Sequence, residues 1–321
     1  MFTNLYANAV ASYMSGRLLG IDKMRRIAAA DSFETAVKML TDYGYGGGIT
    51  GADGSNADRF ITAEIRALCA FVEETSSSGL LTRCILSRFY YADAKVLYKS
   101  RYATDGETTV LRETLYLDDK AMAEAFSTHA YDGLPVPMRD AVTALDDLST
   151  QKKASAKQID QAFTRAMFLD NLNCVRKSRV KCLEAYCRAQ IDIANILSAY
   201  RAGLLKMTTT QLNDELYEGG AVPLECVREV LNGNYGGFEG TPYENAVHKL
   251  RRGKTEAYLK QSDELLLETL KPEFEKTSGY GALLRYFLEK ILEFKAVKYI
   301  LVCVKNKIKV DFDARVWTVD I

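Results

Sequence analysis

The sequence predicts an all-α protein, and three observations carry that prediction. Apolar residues recur at helical steps of three and four. They do so at Leu81, Ile85, Phe89, Ala92 and Val96, again at Leu183, Cys187, Ile191, Ala194 and Leu197, and again from Phe287 and Ile291 through Phe294, Val297, Leu301 and Val304 to Ile308. All five prolines, Pro135, Pro137, Pro223, Pro242 and Pro272, sit at predicted boundaries, and the first 134 residues contain none. Strands alternating with helices are absent, which argues against a Rossmann-like sheet. Each apolar stripe also carries or borders an acid: Asp93, Asp192 and Glu293, about 100 residues apart. That period implies one helical unit used three times, over residues 1–115, 116–220 and 221–321.

In the first unit, residues 3–19 predict a helix with Tyr6, Ala9, Val10, Tyr13, Arg17 and Leu18 on one side. Asp31-Ser32-Phe33-Glu34 reads as a cap before a short helix ending near Leu40. The run from Asp42 to Gly54 is too rich in glycine for regular structure. A helix restarts after Ser55, and Ser76 to Gly79 separates it from the helix that bears Asp93. The second unit opens with a short helix over 119–129, a turn at Gly133 to Pro137 and a helix from Met138 to about Leu148. Long helices over 156–176 and 178–202 follow, and Thr208 to Gln211 caps a short helix before Gly219-Gly220. The third unit starts at Val222-Pro223 and has a glycine-rich loop over 232–237. Helices are expected from Tyr243 to Arg252 and Lys254 to Leu270, with Pro272 breaking or starting a helix and a long helix over about 280–306. Alternation in Lys307 to Trp317 predicts one short strand.

Composition narrows the function. The chain has 321 residues, 48% hydrophobic and 26% charged, as expected of an ordinary folded protein. Lys plus Arg and Asp plus Glu both number 42, so no global field draws nucleic acid or anionic lipid. The start, Met1-Phe-Thr-Asn-Leu-Tyr6, has no basic region followed by an apolar run, so no secretion signal is expected. The apolar run Tyr299 to Val304 is far short of the roughly 20 residues a spanning helix needs, so no bilayer crossing is expected. The seven cysteines include no CxxC pair. Cys69, Cys84, Cys187 and Cys303 fall in apolar stripes, the pattern of reduced thiols in a cytoplasmic protein.

Candidate chemistry is sparse. His129 and His248 stand in no HExxH frame, and neither is expected to be catalytic or to bind metal. Gly253-Lys254-Thr255 reads GKT, but His248 occupies the position where a P-loop needs glycine. Asp118-Asp119 and Asp146-Asp147 suggest the Asp-rich magnesium site of a helical diphosphate enzyme. Neither pair has the further carboxylate one turn on, so surface or capping roles are expected. The basic groups Arg176, Lys177, Arg179 and Lys181, and Lys249, Arg251, Arg252 and Lys254, read as solvated helix faces. Asp93, Asp192 and Glu293 are expected to set helix register, with Lys95, Lys295 or nearby arginines as partners.

Three stretches carry a family resemblance: Tyr6-Ala7-Asn8-Ala9-Val10; Gly16-Arg17-Leu18-Leu19; and Leu40-Thr41-Asp42-Tyr43-Gly44-Tyr45, which ends a helix preceded by Ser32. Together they resemble the opening of the C-type subunits of bacterial and archaeal V-type (A-type) ATPases and ATP synthases, relatives of the d-type subunits of eukaryotic V-ATPases. The arginine that usually stands between that alanine and valine is missing here. The threefold recurrence resembles the family's three homologous helical domains. Asp192 and Asn195 reproduce its Asp-x-x-Asn feature, while Val96 and Ala296 occupy the equivalent places, and Ala314-Arg315-Val316 echoes its C-terminal Ile-Arg.

The resemblance implies three helical bundles with pseudo-threefold symmetry, arranged as a funnel. It implies a central-stalk socket between the rotor axle (the D and F subunits) and the membrane proteolipid ring. Such a socket transmits torque for ion or proton transport and has no catalytic, cofactor-binding or metal residues of its own. The expected location is cytoplasmic and peripheral to the membrane, within a membrane-bound complex, without nucleic acid or direct membrane insertion. The alternative is a helical magnesium-dependent enzyme acting on a diphosphate or nucleotide.

Overall fold

The computed structural model describes residues 3–46, 57–76, 78–102, 111, 114–117, 119–149, 154–178, 180–276 and 279–316. Among these the regular elements are helices, with no strand. The chain opens with α1 (Thr3–Ser15), α2 (Ile21–Ala28), α3 (Phe33–Asp42), α4 (Ala57–Thr75) and α5 (Gly79–Ser100). It continues with α6 (Lys120–Thr128), α7 (Val136–Ser149), α8 (Ala156–Ser178), α9 (Lys181–Leu204) and α10 (Thr209–Asn213). Next come α11 (Leu224–Val230), a 3-10 turn (Gly236–Phe238), α12 (Glu244–Arg251), α13 (Thr255–Phe274), α14 (Gly281–Lys305) and α15 (Phe312–Arg315). From α2, α6 and α11 the same order recurs: a short helix, a second helix, then two long ones.

Local chemistry accounts for many of the ends. Ser32 Oγ accepts the Thr35 amide and starts α3. Asp119 Oδ1 accepts the amides of Ala121 and Met122 and starts α6. Thr208 and Gln211 form a reciprocal capping box on α10.

The structure corrects three expectations. Glycine-rich sequence was expected to be irregular from Asp42, but Asp42 is the last residue of α3; residues 47–54 of that stretch lie outside the described residues. Pro272 does not break the chain. It sits inside the last turn of α13, where the helix ends two residues later and only one backbone bond is forfeited. The expected strand after Lys307 is absent among the described residues. Asp311 Oδ1 accepts the Asp313 amide and starts α15 instead, and no neighbouring strand offers a ladder.

The described residues form two compact units. In the unit made from residues within Met1–Val96, Ala103–Asp118 and Glu273–Ile321, α14 is the centre. It packs against α1, α2, α3 and α4. Its buried residues, among them Leu283, Phe287, Ile291, Ala296, Ile300 and Leu301, lie on all sides, as a helix with neighbours all round requires. In the unit made from Leu97–Tyr102 and Asp119–Pro272, α9 takes that place and packs on α8, α10 and α11. Ile191, Ile196, Ala199 and Ala202 of α9 are fully buried or nearly so.

Two long helices end in an unusual way. Lys206 and Lys307, just beyond α9 and α14, both have φ of 54°, a left-handed conformation that a Cβ disfavours. The amides of Met207 and Ile308 reach back to the carbonyls of Ala202 and Cys303, as in a glycine-terminated helix. Lys206→Gly is therefore expected to raise stability by about 1 kcal/mol, seen as a higher denaturant midpoint at unchanged slope.

Candidate functional site

The three acids found in the apolar stripes lie inside the long helices α5, α9 and α14, and all three are buried. Asp93 is 1% exposed, Asp192 0% and Glu293 3%. A buried carboxylate needs donors for its oxygens. Here each one takes them from the backbone of a segment that leads into a short helix.

Asp93 accepts the Tyr116 amide on Oδ1 and the Leu117 amide on Oδ2, both at 2.7 Å, just before α6. The Tyr116 ring packs edge-on against Phe89 of the same long helix, with centroids 5.1 Å apart. Asp192 accepts the Val222 amide on Oδ1 at 3.1 Å and the Ala221 amide on Oδ2 at 3.0 Å, just before α11. The Tyr243 hydroxyl adds a third bond, 2.7 Å from Oδ2. Glu293 accepts the Leu19 amide on Oε2, just before α2, and the Tyr45 hydroxyl on Oε1. Lys290 Nζ lies 2.6 Å from the same Oε1 and 4.2 Å from the centre of the Tyr45 ring.

The Asp192 station is reinforced on both sides. Arg188, one turn earlier, donates to the carbonyls of Gly219 (3.0 Å) and Gly220 (3.4 Å) while pairing with Glu184 at 2.8 Å. Asn195, one turn later, gives Nδ2–H to the Tyr217 carbonyl and accepts the Tyr217 amide, both at 2.8 Å. One face of α9 thus holds the backbone from Tyr217 to Val222. Burial pushes the Asp192 carboxyl above the ordinary carboxylate range, against the pull of its three donors. Burial and then Asp192 push the Tyr243 hydroxyl well above its own, so it stays a donor. Burial, and after it Glu293, does the same to Tyr45.

These contacts act as anchors. The carboxylate oxygens point at amides, hydroxyls and one ammonium, all within the protein. Glu293 pairs with Lys290, three residues earlier, a spacing that brings side chains to one face of a helix.

The other candidates have other surroundings. Asp119 is a helix cap, and Asp118 lies outside the described residues. Asp146 pairs with Arg101 at 3.0 Å and accepts the Tyr131 hydroxyl at 2.7 Å, while Asp147 is exposed. His129 ends α6 in the left-handed conformation with Nδ1 2.8 Å from Arg101 Nη2. His248 is exposed, 3.9 Å from Glu244. Gly253 has φ of 72° and serves as the turn between α12 and α13. Arg176, Lys177, Lys181, Arg251, Arg252 and Lys254 are exposed, and Arg179 lies outside the described residues. Among the described residues no group of three His, Cys, Asp or Glu side chains is placed to hold a metal. Burial pushes the Cys69 and Cys187 thiols up to about 12, so neither is a nucleophile at neutral pH.

Comparison with protein families matches residues 7–312 to a family described as ATP synthase (C/AC39) subunit. The chain belongs to that family. No match was found among curated proteins. As a C/AC39 chain it is a subunit of an ATP synthase-type complex, in keeping with an interior built of anchors. No helix among its described residues is long and apolar enough to cross a membrane.

In this C/AC39 chain the acids were visible in sequence, but their partners were not. Leu19, Tyr45, Tyr243 and Ala221 carry no local signal of the bonds they make. The paired Gly219-Gly220 was the one available hint, since adjacent glycines permit close approach of backbone to a side chain.

Proposed function

We propose that this C/AC39 chain is the rotor socket of a V/A-type ATPase or ATP synthase. It receives the axle, built of the D and F subunits, and rests on the proteolipid ring, passing twist from one to the other. Three kindred bundles with pseudo-threefold symmetry form the funnel, and the chain itself carries out no reaction. The observation that carries this reading is the family match along residues 7–312.

The interior suits the task. Close-packed helices resist deformation. Carboxylates that bond backbone amides fix loops against the long helices, so force applied at a loop reaches a helix without a soft joint. The enzyme alternative has no comparable support. Asp119 is occupied in capping and Asp146 in an ion pair, and among the described residues no group of three His, Cys, Asp or Glu is placed to hold a metal.

Omitting this chain from the assembled complex is expected to leave ATP hydrolysis by the soluble head and to abolish coupled ion movement. The chain is expected to co-purify with the axle and proteolipid subunits. Full coupling without it would overturn the reading.

A further inference from the structure

We propose that Glu293 closes a seam in the protein, joining the last repeat to the first as covalent connections join the others. Asp93 and Asp192 each hold the segment that leads from their own repeat into the next, at Tyr116-Leu117 and Ala221-Val222. These partners follow 23 to 30 residues later, so the chain delivers them. Glu293 takes the Leu19 amide, which lies 274 residues back and two residues before α2. The place filled in the first repeat is the one that Tyr116-Leu117 and Ala221-Val222 fill in the other two.

The seam station differs from the tethered ones in its side chain and in its cation. Glu reaches one methylene further than Asp. It gathers the Tyr45 hydroxyl, and it keeps the Lys290 ammonium against the Tyr45 and Phe294 rings, 4.2 and 5.1 Å from their centres. Asn8 Nδ2 donates to the Gly279 carbonyl at 2.7 Å, a further bond between the first and third repeats. Opening Asp93 or Asp192 frees a short loop, whereas opening Glu293 releases both Leu19, before α2, and Tyr45, after α3, from α14. The consequence for coupling, though not the seam itself, rests on the rotor-socket reading: twist would spread an open seam first.

Hydrogen exchange on the full chain tests this. Glu293→Gln places an amide NH₂ against either the Leu19 amide or the Tyr45 and Lys290 donors. Exchange in residues 18–46 is expected to rise by about tenfold while residues 217–250 stay as in the wild type. Asp192→Asn is expected to do the reverse. If Glu293→Gln does not fold, Tyr45→Phe removes one donor and is expected to give a smaller rise confined to residues 18–46. Unchanged exchange there, or an equal rise along the whole chain, overturns the seam. In the assembled ATPase, Glu293→Gln is expected to lower ions moved per ATP. An exchange effect with full coupling overturns the rotor reading and leaves the seam standing. Lost coupling without an exchange effect overturns the seam.

Discussion

Gly220→Ala is expected to cost about 3 kcal/mol or more, a large fraction of the roughly 5–15 kcal/mol that stabilises a folded domain. A Cβ at this position would lie 2.1 Å from Asp192 Oδ1 and 3.1 Å from its Cγ. Neither side can yield cheaply. The carboxylate is fixed by the amides of Ala221 and Val222 and by Tyr243, and Arg188 holds the Gly219 and Gly220 carbonyls. Relieving the clash therefore opens the station, leaving the buried Tyr243 hydroxyl without its acceptor at about 1–3 kcal/mol and costing two part-buried amide bonds as well. Gly133→Ala is the control, because nothing lies within 4 Å of its would-be Cβ. Guanidinium unfolding should show a large drop in midpoint for the first and almost none for the second. Asp192 also acts on pH dependence in a particular sense. Its carboxyl is raised in the folded chain, so its own contribution to stability grows as pH falls through that raised value. Carboxylates held below their ordinary range act in the opposite sense.

The sequence made the helices and the three acids legible because both are local matters. A helical step shows which face of α9 is buried, and a Ser, Asp or Thr before an apolar run shows where α3, α6 and α10 begin. The short helices α2 and α11 gave no such sign. Gly20 and Pro223 precede them without a side-chain cap, and each buries only two residues, Met24 and Ile27 or Val227 and Val230. The carboxylate partners were hidden for a different reason. Periodicity describes a residue's own helix, while Leu19 and Glu293 meet only after the chain has folded. Lys290 pairs with Glu293 from one turn earlier and also lies over the Tyr45 and Phe294 rings, a contact that sequence proximity does not show.

Phe163→Ala is expected to be as damaging as Gly220→Ala, by the opposite physics. Phe163 is fully buried, and its ring centre lies 5.9 Å from that of Tyr98 and 6.3 Å from that of Phe126. Those rings in turn meet Tyr102 at 5.8 Å and Tyr131 at 6.0 Å, so the end of α5, the α6 helix with its following turn, and α8 meet through one aromatic cluster. Truncation removes the shared member and leaves a cavity that long helices cannot collapse to fill, at about 3–5 kcal/mol. Phe163→Leu retains most of the volume and should cost much less. Chemical unfolding separates the two variants, and exchange at Ala221 and Val222 should stay slow below the unfolding transition, since no Asp192 bond is touched. The two damaging variants would then divide the requirements of a socket. One keeps the anchors and softens the packing between them, while the other keeps the packing and frees an anchor. If stiffness alone passes twist, both should slip in proportion to stability lost. If the anchors are the path, Gly220→Ala should slip more than Phe163→Ala at equal stability, which coupled transport measured at matched fractions folded would show.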